Sequence, residues 1–104
     1  MNDVFRALAD PTRREILKLL RRGPLSAGAI ADHFPQNRST LSAHFKVLKA
    51  ADLVSTERQG QTIIYSLRLS VLEETMARVL AVFGLGEDED PRRAKTMPQV
   101  LPEV

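Results

Sequence analysis

Between Gln36 and Leu67 the chain reads QNRSTLSAHFKVLKAADLVSTERQGQTIIYSL. On a 3.6-residue wheel starting at Arg38, the polar residues Ser39, Ser42 and Lys46, with small Ala43 among them, gather on one arc. Leu41, Phe45 and Leu48 gather on the other and form its core face. Arg38 stands in the first turn. Guanidinium, hydroxyl and ammonium groups on one side of a rod suit hydrogen bonding to base edges and phosphates, and Arg can grip guanine with two bonds. Ala43 is small enough for a groove floor to approach, as at a thymine methyl. First-turn N–H groups and the helix dipole favour a phosphate nearby. Thr40 and Lys49 are further phosphate candidates, and Arg58 and Gln61 flank a glycine turn that could reach the neighbouring backbone or minor groove.

Bond-breaking chemistry finds little support. Ser42 and His44 are two apart on a helix, face different directions and do not form a dyad. No nucleophile–base pair or Gly-rich phosphate loop is evident, so no catalytic residue is assigned. The chain has no Cys, which excludes disulfides, thiolate metal sites and thiol redox sensing. His33 and His44 lack an i, i+4 ligand partner, so no metal site and no cofactor are expected. His44, at the edge of the apolar stripe, is expected to pack with one ring nitrogen hydrogen-bonded.

These residues need elements to hold them. Val4, Phe5 and Leu8 recur at helical spacing and predict a short first helix. Asp10-Pro11 reads as a helix start: Asp caps an unpaired N–H, and Pro at the first position has none to leave unpaired. That second helix runs to about Arg22, burying Ile16, Leu17, Leu19 and Leu20, and Gly23-Pro24 stops it. Ser26 caps a third helix to about Phe34. After a Pro35-Gln36-Asn37 turn, Asn37 caps the fourth, through about Ala51. Val54–Thr56 and Ile63–Leu67 are β-rich around Gln59-Gly60-Gln61 and predict a two-stranded ribbon. Ser70-Val71-Leu72-Glu73 matches a capping box and opens a fifth helix to about Phe83. The expected class is mainly α, within α+β: four helices, a two-stranded ribbon and a fifth helix. Two short helices joined by a brief turn, then a ribbon, make a winged helix-turn-helix, which points to double-stranded DNA.

Length and charge fit this reading. The 104 residues allow one domain, 1–83, and a tail, 84–104, with three prolines and clustered charge. Residues 1–83 carry 12 Lys/Arg against 8 Asp/Glu, and residues 84–104 carry 3 against 5. The globular part is thus moderately basic, which suits a polyanion. The Arg13/Arg14 pair is a further candidate for backbone contact. No apolar run approaches the roughly 20 residues that span a bilayer. The first residues lack the basic and apolar regions of a signal peptide, so the cytosol (the bacterial cytosol and nucleoid, for a DNA reader) is the expected location.

The fifth helix carries Val71, Leu72, Thr75, Met76, Val79, Leu80 and Phe83 around close to half its circumference. A monomer this small would expose part of that band, and such patches mark association surfaces. A homodimer is therefore expected through the first and last helices, with Val4, Phe5, Leu8, Leu72, Met76, Val79, Leu80 and Phe83 in the interface.

The segments FRALADPTRREILKLL (5–20), LSAGAIADHF (25–34), STLSAHFKVLKAADLV (39–54) and RQGQTIIYSL (58–67) resemble the ArsR family of bacterial winged-helix repressors, nearest its metal-independent, SdpR-like autorepressor branch. The resemblance implies a homodimer on a two-fold operator, with the fourth helix in the major groove and the wing on the flank. By position, it assigns reading roles to Arg38, Ser39, Thr40, Ser42, Ala43 and Lys46, and wing roles to Arg58 and Gln61. Metal-sensing members carry a Cys-Val-Cys motif in the third helix; Ser26 and Gly28 stand at the matching positions here. Their last helix can also carry Asp and His ligands; here it has Glu73 and Glu74 but no His.

The competing reading is a winged-helix module whose fourth helix docks a protein, although such a face more often carries exposed aromatics. Release from DNA could come through a small ligand, a partner protein or concentration. The sequence names no inducer.

Overall fold

The structure, a computed structural model, describes residues 2–85. The chain order is α1 (Asn2–Leu8), α2 (Pro11–Leu20), β1 (Leu25–Ser26), α3 (Ala27–Ala31), α4 (Arg38–Ala50), β2 (Val54–Gln59), β3 (Thr62–Leu67) and α5 (Leu69–Val82). Helices α2, α3 and α4 each start at a side-chain cap. Asp10 Oδ1 accepts from the backbone N–H groups of Thr12 at 2.8 Å and Arg13 at 3.2 Å. Ser26 Oγ accepts from Ala29 N at 3.0 Å, and Asn37 Oδ1 from Thr40 N at 2.8 Å. These bonds satisfy donors that a helix start otherwise leaves unpaired.

The end of α4 is fixed as firmly. Asp52 adopts φ 62°, Asp52 N–H donates to Lys49 O at 2.9 Å, and Leu53 N–H to Leu48 O at 3.1 Å. This is the Schellman pattern, with Asp in the left-handed position that glycine usually fills. Leu48 and Leu53, fully buried, supply the apolar contact that accompanies it.

The sheet holds three strands, in the order β1-β3-β2, all antiparallel. The expected two-stranded ribbon is β2–β3. Its loop is Gly60-Gln61, with Gln59 opposite Thr62. Gly60 has φ 66°, the positive value a type II′ hairpin needs at its first loop residue. The added strand, β1, pairs Leu25 with Tyr65 and Ser26 with Ile64. Two residues show no alternation, so no periodicity marks them.

The described residues fall into two compact units, 2–72 and 73–85. In the first, Ile16, Leu17, Leu20, Ile30, Leu41, Phe45, Leu48, Leu53 and Val54 form the core with Val4 and Ala7 of α1. Val4 was expected in a subunit interface; it is 6% exposed and belongs to its own subunit's core. The stripe of α1 turns inward at Val4 and Ala7, leaving Phe5 outside. In the second unit, Thr75 is buried, whereas Met76, Leu80, Val82 and Phe83 are exposed. Gly84, at φ 70°, ends α5.

Several expected boundaries move: α2 ends at Leu20, short of Arg22, and β2 runs past Thr56 to Gln59. The third helix stops at Ala31, before Phe34. The fifth begins at Leu69, so Ser70 lies inside its first turn and does not cap it; the Arg68 carbonyl accepts from Val71 N–H at 3.1 Å instead. Of the expected tail, Gly84 and Leu85 are described, and 86–104 lie outside the described residues.

Candidate nucleic-acid interface

Because Leu41, Phe45 and Leu48 turn into the core, α4 presents Arg38, Ser39, Thr40, Ser42, Ala43, Lys46 and Lys49 to solvent. The six helical candidates for reading thus share one exposed side. Arg58 and Gln61 lie at the end of the β2–β3 hairpin, also exposed. Among the described residues no hydrogen bond or ion pair joins the two groups.

Some of these side chains have local partners. Ser39 Oγ donates to Asn37 Oδ1 at 2.9 Å, so its hydroxyl hydrogen supports the α4 cap and its lone pairs face outward. Arg58 Nη1 donates weakly to Gly60 O at 3.4 Å, curling over the wing turn. Arg38 Nη2 lies 3.8 Å from where a Cβ on Gly28 would stand, against the first turn of α3. Among the described residues Lys46 and Lys49 have no ion-pair partner.

The Arg13/Arg14 pair has a different task from the expected phosphate contact. Arg13 Nε donates to Ala7 O at 3.0 Å and Nη2 to Arg6 O at 2.8 Å. Arg14 Nη1 donates to Leu8 O at 2.7 Å. The carbonyls of Arg6, Ala7 and Leu8, at the end of α1 where the i+4 bonds run out, all accept from these two cations, and Arg6 O also takes a 3.3 Å bond from Ala9 N–H. The remaining donor of Arg13, Nη1, lies 3.1 Å from His44 Nδ1 on α4. His44 is half-buried with one ring nitrogen paired, as expected of it.

Two further residues position the motif without a sequence signal of their own. Gln36 Nε2 donates to Thr12 Oγ1 at 2.9 Å and pins the turn before α4 to the start of α2. Tyr65 stacks obliquely on Phe45, with ring centroids 4.7 Å apart, and ties α4 to the central strand. Burial pushes the Tyr65 phenol above its usual range. At the α2 cap, partial desolvation works to raise the Asp10 carboxyl. The Arg13 and Thr12 N–H groups, with the charges of His44 and Arg13, outweigh it and hold the group below its ordinary value. Ser26 is occupied as both a β1 residue and the α3 cap, and Gly28 offers no ligand atom. The described residues contain no group of three or more His, Cys, Asp or Glu able to hold a metal.

Comparison with known proteins agrees with this geometry. Residues 8–57 match a helix-turn-helix domain family. The chain is 43% identical over 89 residues to the transcriptional repressor SdpR of Bacillus subtilis, covering 86% of this chain and 99% of that one. An ArsR-like transcriptional regulator from Rhodococcus sp. RHA1 superimposes with a TM-score of 0.71 at 35% identity, over 95% of this chain and 90% of that one. A structure described as a homodimeric winged helix-turn-helix DNA-binding domain of a possible ArsR-family regulator, from Mycobacterium bovis, gives 0.64 at 32% identity, over 77% and 76%. The outward polar side of α4, the wing beside it and these relatives agree: the chain belongs to the ArsR family of winged helix-turn-helix transcriptional repressors.

Proposed function

We propose that the protein is a homodimer that represses transcription by holding an inverted-repeat operator, its own promoter being the first target. The observation that carries this reading is the exposed side of α4, where donors crowd and no aromatic stands. Arg38, Ser39, Thr40, Ser42 and Ala43 meet base edges and the phosphates beside them. Lys46, Lys49 and the wing residues Arg58 and Gln61 hold the backbone. Backbone contacts set register, and base contacts set sequence.

Phe5 on α1, with Leu8, and Leu72, Met76, Val79, Leu80 and Phe83 on α5 form the subunit interface. Phe5 is 44% exposed, Leu80 40% and Phe83 71%, more apolar surface than a lone small domain carries comfortably. The relative described as homodimeric supports a two-subunit assembly. Repression follows by exclusion of RNA polymerase, in the bacterial cytosol where the chromosome lies. No helix among the described residues is long and apolar enough to cross a membrane. Metal is not the switch: Ser26 already serves as a helix cap at a position where metal-sensing members have Cys.

Footprinting on a fragment of the protein's own promoter tests the proposal. Two protected half-sites with two-fold symmetry, centred about one helical turn apart, are expected. Protection of a single asymmetric site, or none on any promoter in a genome-wide binding experiment, would overturn it.

A further inference from the structure

We infer that Arg13 and His44 form a positioning pair that locks the reading helix to the first helix, and that the lock holds only while His44 is neutral. The inference rests on the DNA-binding role of α4 proposed above.

The argument starts with the donors. A guanidinium can only donate and stays protonated at every physiological pH. Arg13 uses Nε on Ala7 O and Nη2 on Arg6 O, both at the end of α1. Its Nη1 then meets His44 Nδ1 at 3.1 Å. That contact is a hydrogen bond only if Nδ1 offers a lone pair, which places the imidazole proton on Nε2. One planar group, rooted on α2, thus holds α1 by two carbonyls and α4 by one ring nitrogen. α1 also packs on α4, so the pair sits where three helices of the first unit meet.

Protonation of His44 reverses this. Both ring nitrogens become donors, Nδ1–H would face N–H, and two cations would stand about 3 Å apart. Two charged groups of α2 and its cap are in play: Arg13 Nη1 stands 3.1 Å from the imidazole Nδ1, and the Asp10 carboxylate interacts electrostatically with the ring. Both backbone N–H bonds of Asp10 fall on Oδ1, and among the described residues no hydrogen bond joins its carboxylate to the imidazole, so its pull on an imidazolium is electrostatic only.

The consequence for DNA lies in geometry. His44 falls between Ala43 and Phe45, one step around the helix from the exposed side. Reading two major grooves at once requires both α4 helices at fixed angles to the two-fold axis. If α1 contributes to the subunit interface, Arg13 is the joint through which that angle is set. Loosening the joint leaves the donors of α4 intact but lets their direction wander.

Two measurements test the pair. In the free protein, nitrogen–proton correlation spectra of the imidazoles report the tautomer without DNA. His44 protonated on Nε2 at about pH 8, the basic end of the span over which imidazoles change charge, is expected. The Nδ1–H form there would overturn the inference whether or not the protein binds DNA.

The second measurement is affinity for a promoter duplex between about pH 8 and 5.5. Its variants are His44→Asn, whose Oδ1 stands the same number of bonds from Cα as Nδ1, and His44→Phe, which keeps a ring but no acceptor. The wild type should lose at least about tenfold more affinity on acidification than His44→Asn. His33, just after α3, is present in both, so the difference isolates His44. At pH 8 His44→Asn should bind within a few-fold of wild type, and His44→Phe at least tenfold more weakly. Parallel pH profiles for wild type and His44→Asn, or wild-type affinity in a folded His44→Phe, would overturn the pair. If His44→Phe does not fold, the Asn profile still decides.

Discussion

The salt dependence of duplex binding separates the cations that face DNA from those occupied within the fold. Lys46, Lys49 and Arg58 are exposed and have no ion-pair partner among the described residues, whereas Arg13 and Arg14 are anchored on the carbonyls of α1. Three phosphate contacts per subunit make about six per dimer, so log K should fall against log salt with a slope of about −5, a loss of roughly a thousandfold between about 50 and 200 mM. Had Arg13 and Arg14 also reached phosphates, the dimer would make about ten contacts, with a slope near −9 and a loss of roughly a hundred-thousandfold. Lys46→Ala removes one contact from each subunit and should flatten the slope by about 2. Fluorescence anisotropy of a labelled promoter duplex over a KCl series reads all of these directly. A wild-type slope near −9 would return the arginine pair to the DNA face. An unchanged slope in Lys46→Ala would remove Lys46 from the backbone contacts.

Four further outcomes are expected. Arg38→Ala should weaken specific binding by about 1–3 kcal/mol and relax base preference at one operator position per half-site, read by gel shift on a mutated series. Leu80→Glu should give a monomer in light scattering and lose tight binding at the same time; a stable mutant dimer would refute the interface. Asp10→Ala should cost about 1 kcal/mol, which for a domain of this size lowers Tm by about 4–8 °C. Because the folded carboxyl titrates below its ordinary value of 3.8, its share of stability is complete above that pH. This share is lost as pH falls through the lower folded value, and Asp10→Asn, followed by circular dichroism, should lose that component of the acid sensitivity. Asp52→Val should destabilise by about 1–2 kcal/mol because its backbone is left-handed, whereas Asp52→Gly, which adopts φ 62° freely but gives up the 3.1 Å ion pair with Arg68, should stay close to wild type in urea melts.

The elements most readable in the sequence were those whose signals are local. Asp10-Pro11 and Asn37 announce helix starts because the residue that caps also supplies the bonding atom. The polar side of α4 was legible because helical periodicity states which residues share a side. Other features depend on what lies across the fold. A short apolar stripe such as Val4, Phe5 and Leu8 does not say which end faces its own core, and the packing on α4 took Val4. Arginine reads identically whether its acceptor is a phosphate or a carbonyl, so Arg13 and Arg14 could not be placed until α1 was seen to end above them. Ser70 carried a capping-box pattern, yet the chain leaving β3 enters helical geometry at Leu69, two residues before a Ser70 cap would start it, and the pattern never forms. The pairing of Gln36 with Thr12 spans two elements and leaves no mark on either.

The two-residue strand β1 has a further consequence. It hydrogen-bonds the start of α3 to β3, which is also the inner strand of the wing, while Tyr65 on that strand rests on Phe45 of α4. Reading helix and wing root therefore behave as the two jaws of one gauge. The offset between what the helix touches and what the wing touches is built into the protein, not negotiated on the DNA. Each base pair turns the duplex by roughly 34–36°, so one base pair inserted between those contacts carries the flank out of the wing's reach. A substitution at the hairpin tip around Gly60 is therefore expected to leave this offset unchanged, whereas one at Leu25, Ser26, Ile64 or Tyr65 reaches the root that sets it.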